Sequence, residues 1–303
     1  MRNLLYGCIL VIIGIFLAMG YDWAKKNFVP SPQAFIQPKK GNIRYPEIDY
    51  LRENALRKFA DIPAHERQQL RDSLSSAITT LDSWLERISS TRPEVICVGE
   101  NHDDVTRSFL ASRFFSKYPV DVLMLETTHD DLAILIKLIE SGSKRLSLLE
   151  ADVAELLRAA RKTNPGVSIY GIEESRSQRV ARFGSGAGSR EQSIVENFRT
   201  HFGAGQKYAV LYGALHCLDK PHWFFGRLRG KNADGEIGST LSVNVVSAHG
   251  SGETEAFVNF LQELDLPSPP FVVPHTTMLH AEVYAWFPQL TQNFRQYDAA
   301  IVF

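Results

Sequence analysis

The side chains best suited to chemistry in this 303-residue sequence fall in two four-residue motifs, Gly99-Glu100-Asn101-His102 and Gly213-Ala214-Leu215-His216. Imidazole takes or gives a proton near neutral pH, and a neighbouring carboxylate can fix which ring nitrogen carries it. The count alone is weak, because 20 glycines and 9 histidines would give roughly 0.6 such motifs by chance. Position says more. Each motif directly follows a short apolar run, Val95–Val98 or Tyr208–Tyr212. The glycine is expected to let the backbone turn sharply there and aim the histidine back over the end of a strand.

Carboxylates recur at the same kind of place. Asp121–Leu125 ends in Glu126, and Ser168–Ile172 ends in Glu173 and Glu174. In parallel α/β sheets, functional side chains gather at the carboxyl ends of the strands, where chain reversals share one crevice. Two chemistries use this set. In the first, His102, Glu126 and His216 hold zinc, manganese or iron, with Glu100 and Glu173 or Glu174 as additional ligands or proton carriers, and the metal activates water. In the second, no metal is present, one histidine is the general base and a glutamate fixes its tautomer. Both lead to water attack on an ester or amide bond. An unpaired Glu126 in an apolar setting would be costly, which favours a functional role for it. Glu173 and Glu174 point opposite ways, and one of them is expected to be solvated or paired with Arg176.

Other candidates are read more plainly. His129, His201, His222, His249, His275 and His280 lack the repeated context and are expected to be structural or on the surface. Tyr170 and Tyr212 are expected to face the core, and Trp223-Phe224-Phe225 to pack a helix. Gly184-Ser185-Gly186-Ala187-Gly188-Ser189 lacks the Lys-Ser/Thr of a phosphate-binding loop and reads as a mobile loop.

The elements that must position these residues alternate. Strand candidates are Val95–Val98, Asp121–Leu125, Ser168–Ile172, Tyr208–Tyr212, Val243–Val246, Phe271–Val273 and Ala299–Phe303, with helical stretches between them. That alternation predicts an α/β fold with a largely parallel central sheet flanked by helices, in one main domain. Capping-box patterns at Ser147-Leu148-Leu149-Glu150 and Ser189-Arg190-Glu191-Gln192 open two of the helices. Apolar positions from Leu70 to Ile88 at spacings of three and four predict a helix over Asp61–Ser89.

Composition sets the outer limits. With 44% hydrophobic and 22% charged residues the chain is globular, and a net charge of −1 offers no field to attract nucleic acid. Leu4–Tyr21 is uncharged and mostly aliphatic over roughly 18 residues, which reads as a signal peptide or membrane anchor. The expected organisation is therefore leader or anchor over 1–26, Pro-rich tether and helical extension over 27–92, and the α/β domain over 93–303. The main domain is expected outside the cytoplasm, either exported or attached to the membrane through the N-terminal segment. The cysteines are Cys8, Cys97 and Cys217. One disulfide between Cys97 and Cys217 is conceivable in an oxidising compartment, but buried strand thiols usually serve as small hydrophobes, and that is the expectation here.

The motifs taken in order resemble the TraB/ChaN/Tiki superfamily, which includes the erythromycin esterases. The matching residues are Gly99-Glu100-Asn101-His102, Glu126 in Leu123-Met124-Leu125-Glu126, Arg190 in Ser189-Arg190-Glu191-Gln192, Gly213-Ala214-Leu215-His216, and the closing Tyr297-Asp298-Ala299-Ala300-Ile301-Val302. The resemblance spans Pro93 to Phe303. It implies a hydrolase acting on a small-molecule or peptide substrate, either metal-dependent or metal-free, with His102, Glu126, His216, Glu100 and Arg190 in the site. The same superfamily contains haem-binding proteins of iron uptake, so it equally implies an alternative, a haem- or iron-binding envelope protein without turnover. The chain departs from the family pattern at Ile172-Glu173-Glu174 and in an insertion over Gly226–Gly238.

Overall fold

The structure is a computed structural model describing residues 60–142, 148–185, 188–230, 237–249, 252–275 and 287–303, all within the unit Pro46–Phe303. The apolar Leu4–Tyr21 segment, the Pro-rich tether, Ser147, the middle of the glycine-rich stretch and His280 lie outside the described residues. Among the described residues no helix is long and apolar enough to cross a membrane.

The stretch read as one helix is two, α1 (Ala64–Ala77) and α2 (Leu81–Thr91), separated by the two-residue strand β1 (Thr79–Thr80). Ile78 is extended at φ −121°, and two β-branched threonines follow it. The Thr80 side chain then accepts from the Ser83 N–H and starts the second helix. The apolar spacing runs on across the break because each half has a core beneath it. Leu70, Leu74 and Ile78 pack into one cluster, and Leu81, Trp84, Leu85 and Ile88 into another.

The remaining strands are β2 (Val95–Glu100), β3 (Val122–Leu125), β4 (Ser168–Gly171), β5 (Tyr208–Gly213), β6 (Thr240–Val246), β7 (Phe271–Val273) and β8 (Ala299–Val302). With β1 they form one eight-stranded sheet in the order β1-β7-β8-β6-β2-β5-β3-β4. From β8 to β4 all pairings are parallel, and β7 runs antiparallel to both of its neighbours. The helices are α3 (Asp104–Phe109, continued by a π-helical turn to Phe115), α4 (His129–Glu140), α5 (Leu148–Thr163), α6 (Arg176–Ser185), α7 (Arg190–Thr200), α8 (Phe224–Gly230), α9 (Gly252–Glu263) and α10 (Pro288–Phe294).

The central strands are buried on both faces, as expected of a parallel sheet covered by helices. Ile96, Val98, Leu123, Leu125 and Leu211 face α2, the π-helical turn and α5. Val95, Cys97, Met124, Val210 and Tyr212 face Ile194 and Phe198 of α7 and Phe224 of α8. Phe224 and Phe225 are fully buried, so this aromatic run packs a helix as expected.

The chain passes from β2 to β3 and β4 and only later inserts β5 between β2 and β3. Both histidine motifs therefore end on adjacent central strands, with Gly99 beside Tyr212 and Glu100 beside Gly213 in register. β3, which leads into Glu126, lies on the other side of β5.

Candidate active site

The two motif glycines lie within the last positions of their strands, and neither has a positive φ. The sharp turn expected of them occurs instead at His102, a non-glycine residue at φ 54°. Such a conformation is costly for a side-chain-bearing residue and persists only where its surroundings hold it. The glycines serve close approach. A Cβ on Gly99 would come 2.8 Å from the Ala214 Cα, and one on Gly213 would come 2.6 Å from His102 Nε2. Each motif occupies the space that a side chain on the other would need.

His102 lies between two carboxylates. Its Nδ1 is 3.0 Å from Glu100 Oε1 and its Nε2 is 3.2 Å from Glu126 Oε2. Glu100 is 3% exposed and is gripped by Arg107, whose Nε and Nη2 donate at 3.0 and 2.8 Å. The hydrogen bond to Glu100, then that to Glu126, raises the His102 pKa to about 9 against the opposing effect of burial. Burial pushes the Glu126 carboxyl up. Hydrogen bonds from His102, the Gly213 N–H and Arg190 outweigh it and bring Glu126 down to about 2. The resting pair at neutral pH is therefore imidazolium and carboxylate.

Arg190 enters from the first turn of α7, which is capped by the Ser189 side chain accepting from the Gln192 N–H. Its Nη2 donates to Glu126 Oε1 at 2.7 Å and to Glu173 Oε2 at 2.6 Å, its Nε to Glu173 Oε1 at 2.8 Å, and its Nη1 to His216 Nε2 at 3.0 Å. Glu173, and after it Glu126, raises the Arg190 pKa further above its ordinary value. A guanidinium has five N–H donors. These bonds use four of them, leaving one Nη1 hydrogen without a partner among the described residues. Because Arg190 can only donate to Nε2, His216 carries its proton on Nδ1, which faces Glu191 Oε2 at 3.0 Å. Glu191 also accepts from the Phe224 N–H.

The sequence-derived set thus converges, with Glu126 3.2 Å from one histidine and 3.7 Å from the other. Glu173 turns into this cluster. Glu174 turns away and is buried, bound by Arg182, Arg179 and Ser193, so its expected partner Arg176 is replaced by two other arginines. Hydrogen bonding from Arg182 comes first among the causes that hold the Glu174 pKa low. Of the default histidines, His201 stacks on Tyr170 at 4.0 Å between ring centroids, a structural role. Tyr212 is buried, and its hydroxyl reaches Glu173 at 3.4 Å.

Sequence reasoning missed Arg107 and Glu191. Arg107 lies seven residues beyond Glu100 on α3, with no motif to mark it. Glu191 was legible only as part of a capping box, although its adjacency to Arg190 at a helix start was a usable signal.

The cysteines correct a second expectation. Cys97 and Cys217 form a disulfide, with Cα atoms 5.5 Å apart, rather than serving as free small hydrophobes. The bond ties β2 to the short helical turn Ala214–Cys217 that carries His216.

The donor set does not fit the metal site expected of His102, Glu126, His216 and Glu173. The Arg190 guanidinium lies among those groups and binds Glu126, Glu173 and His216 itself, so a cation already holds the position a metal would take. Both histidine Nδ1 atoms are committed to other carboxylates. Among the described residues no group of three or more His, Cys, Asp or Glu side chains is arranged to hold a metal ion.

No protein-family model and no curated protein matches the chain. Among solved structures it is similar to ChaN of Campylobacter jejuni, described with cofacial haem binding, at a TM-score of 0.36 and 13% identity over 56% of this chain and 90% of that one. It is also similar to RRSP, a MARTX toxin effector domain from Vibrio vulnificus CMCP6, at a TM-score of 0.32 and 18% identity over 57% of this chain and 40% of that one. A chain described as a bacterial protein toxin aligns at a TM-score of 0.37 and 16% identity over 66% of this chain and 46% of its own. The chain spans under half the length of these two toxin chains.

Proposed function

We propose that the chain is a metal-free hydrolase of ester or amide bonds, exported or membrane-anchored through its N-terminal segment. The observation that carries the reading is the junction of His102 Nε2 with Glu126 Oε2 beside a guanidinium that keeps one N–H without a partner among the described residues. His102 is 43% exposed at the side chain whereas His216 is 8% exposed, so His102 is the histidine that water and substrate reach.

In its neutral form His102 keeps a proton on Nδ1 toward Glu100 and presents the Nε2 lone pair to a water that Glu126 also holds. As the water oxygen attacks the carbonyl carbon, its proton passes to Nε2. The free Arg190 N–H meets the developing oxyanion. Collapse of the tetrahedral intermediate breaks the bond to the alcohol or amine, which leaves with the proton from Nε2. Glu100, Arg107, Glu173, Glu191 and His216 are positioning residues that hold His102, Arg190 and Glu126 in place. Location outside the cytoplasm is supported by the buried disulfide, since such bonds persist in oxidising compartments.

The test is a screen of the purified full-length protein against p-nitrophenyl esters and mixed peptides, with and without a chelator, beside His102→Ala and Glu126→Gln. The expected result is turnover that survives chelation and falls at least about a hundredfold in both variants. Turnover that both variants retain would end the proposal. A Soret band on adding haem, with no hydrolysis of any substrate, would favour the haem-binding alternative instead.

A further inference from the structure

Two cavities open beside the site on opposite faces of the sheet. One, of about 190 Å³, lies against Glu100, Arg107 and Glu126 with leucine walls. The other, of about 410 Å³, lies against Asn101 and Leu215, the neighbours of His102 and His216, and extends to Asn244, Asn293 and Phe294.

Asn244 distinguishes the larger cavity. It occupies β6 directly beside Gly99 of β2 and is 6% exposed, yet its side-chain amide has no hydrogen-bond partner among the described residues. It is not one of the sealed unpartnered atoms either, so the accessible part of its amide opens on the cavity it lines. Water can reach that amide while the cavity is open, but an occupant without a matching polar group would displace the water and leave the amide unpaired at a cost in free energy. Asn101 and Asn293, both exposed, also line the cavity, and their side chains have no hydrogen-bond partner among the described residues. Among the described residues the one charged lining group is Glu253, whose Oε2 accepts from the Leu290 N–H, and no cation stands among them to attract an anionic group. An asparagine amide pairs one acceptor and two donors, the complement of a peptide unit with its N–H and C=O.

We propose that this cavity is a subsite for a neutral, amide-bearing group next to the bond that is cut, with Asn244 as the specificity-determining residue that pairs with that amide. The proposal rests on the hydrolase reading above and narrows its substrate class to acylamino or peptidyl compounds.

Two probes of equal length test it on the full-length protein. p-Nitrophenyl N-acetylglycinate carries an amide where p-nitrophenyl pentanoate carries two methylenes. The wild type is expected to prefer the amide ester in kcat/KM, and Asn244→Leu to lower that preference about tenfold or more, because a site built to hydrogen-bond a group discriminates strongly against analogues lacking it. An unchanged ratio overturns the proposal. Independently, N-acetylglycinamide titrated into the ¹⁵N-labelled wild type is expected to shift the Asn244 side-chain amide resonance. Absence of that shift overturns the subsite even if both esters are cleaved. A shift without cleavage of either ester keeps the subsite and removes the hydrolase reading.

Discussion

A Cβ on Gly213 would lie 2.6 Å from His102 Nε2 and 3.4 Å from Glu126 Oε2, so the backbone of the second motif forms the wall against which the first motif's histidine rests. Any side chain at position 213 must push the imidazole off the Glu126 carboxylate. Gly213 also donates its N–H to Glu126 at 2.8 Å, which ties the carboxylate to the same wall.

Gly213→Ala is therefore expected to lower kcat/KM about a hundredfold, the cost of displacing a catalytic group by about an ångström. Circular dichroism and thermal unfolding would show whether the fold survives, since strand packing on β5 is otherwise unchanged. A variant that folds and keeps wild-type kcat/KM would show that His102 need not rest there.

The pH dependence follows from the His102–Glu126 pair. Nε2 can act as a base only after losing its proton, and the folded-state pKa of His102 is raised to about 9. kcat/KM is expected to rise with pH and level off above about 9, while Glu126, held at about 2, stays ionised throughout. Stability runs the other way. A histidine raised from 6.5 stabilises the fold fully below pH 6.5, and that contribution is lost as pH rises through about 9. Glu100→Gln removes the larger cause of the shift, so the midpoint of the rate profile should move down by roughly one unit or more. A profile centred near 6.5 in the wild type, the ordinary histidine value, would show that Glu100 and Glu126 do not hold the proton on His102.

The strands and their contents were legible because runs such as Val95–Val98 and Phe271–Val273 are short, apolar and bounded by polar turns. Position at strand ends was enough to select His102, Glu126 and His216. Spacing could not reveal the break at Ile78, where two cores continue one periodicity. Glycine in the motifs pointed to a turn, whereas its physical cause is the approach of β2 and β5, a contact between residues more than a hundred positions apart. Metal ligation and arginine-centred hydrogen bonding draw on the same carboxylates and imidazoles, and only the place of the Arg190 guanidinium decides between them. The Cys97–Cys217 bond could be named as a pairing but not selected over free thiols, since whether Cys97 of β2 meets Cys217 of the turn after β5 depends on which strands are neighbours.

Arg190 gathers Glu126, Glu173 and His216 through the planar fork of its guanidinium, which a lysine ammonium cannot reproduce. Arg190→Lys keeps the charge but cannot span the three partners and still offer a donor to the oxyanion. The expected loss in kcat is about a hundred- to a thousandfold, the range for removal of one oxyanion donor, with a smaller change in KM. Steady-state kinetics on any ester the wild type cleaves would measure it. A loss confined to KM would assign Arg190 to substrate binding rather than to the transition state.

The disulfide supplies a prediction for stability as well as for the site. Cys97 and Cys217 are separated by 120 residues, and closing a loop of that order removes much of the freedom of the unfolded chain. The double variant Cys97→Ala/Cys217→Ala is expected to be less stable by about 2–5 kcal/mol, as read from denaturant midpoints at constant slope. His216 directly precedes Cys217 on the tied turn, so its hydrogen bonds to Glu191 and Arg190 should loosen before the sheet does. Activity in the double variant is then expected to fall at denaturant concentrations where the far-ultraviolet signal is still native. Coincident loss of activity and secondary structure, at the wild-type midpoint, would mean that the bond neither stabilises the fold nor braces the turn that carries His216.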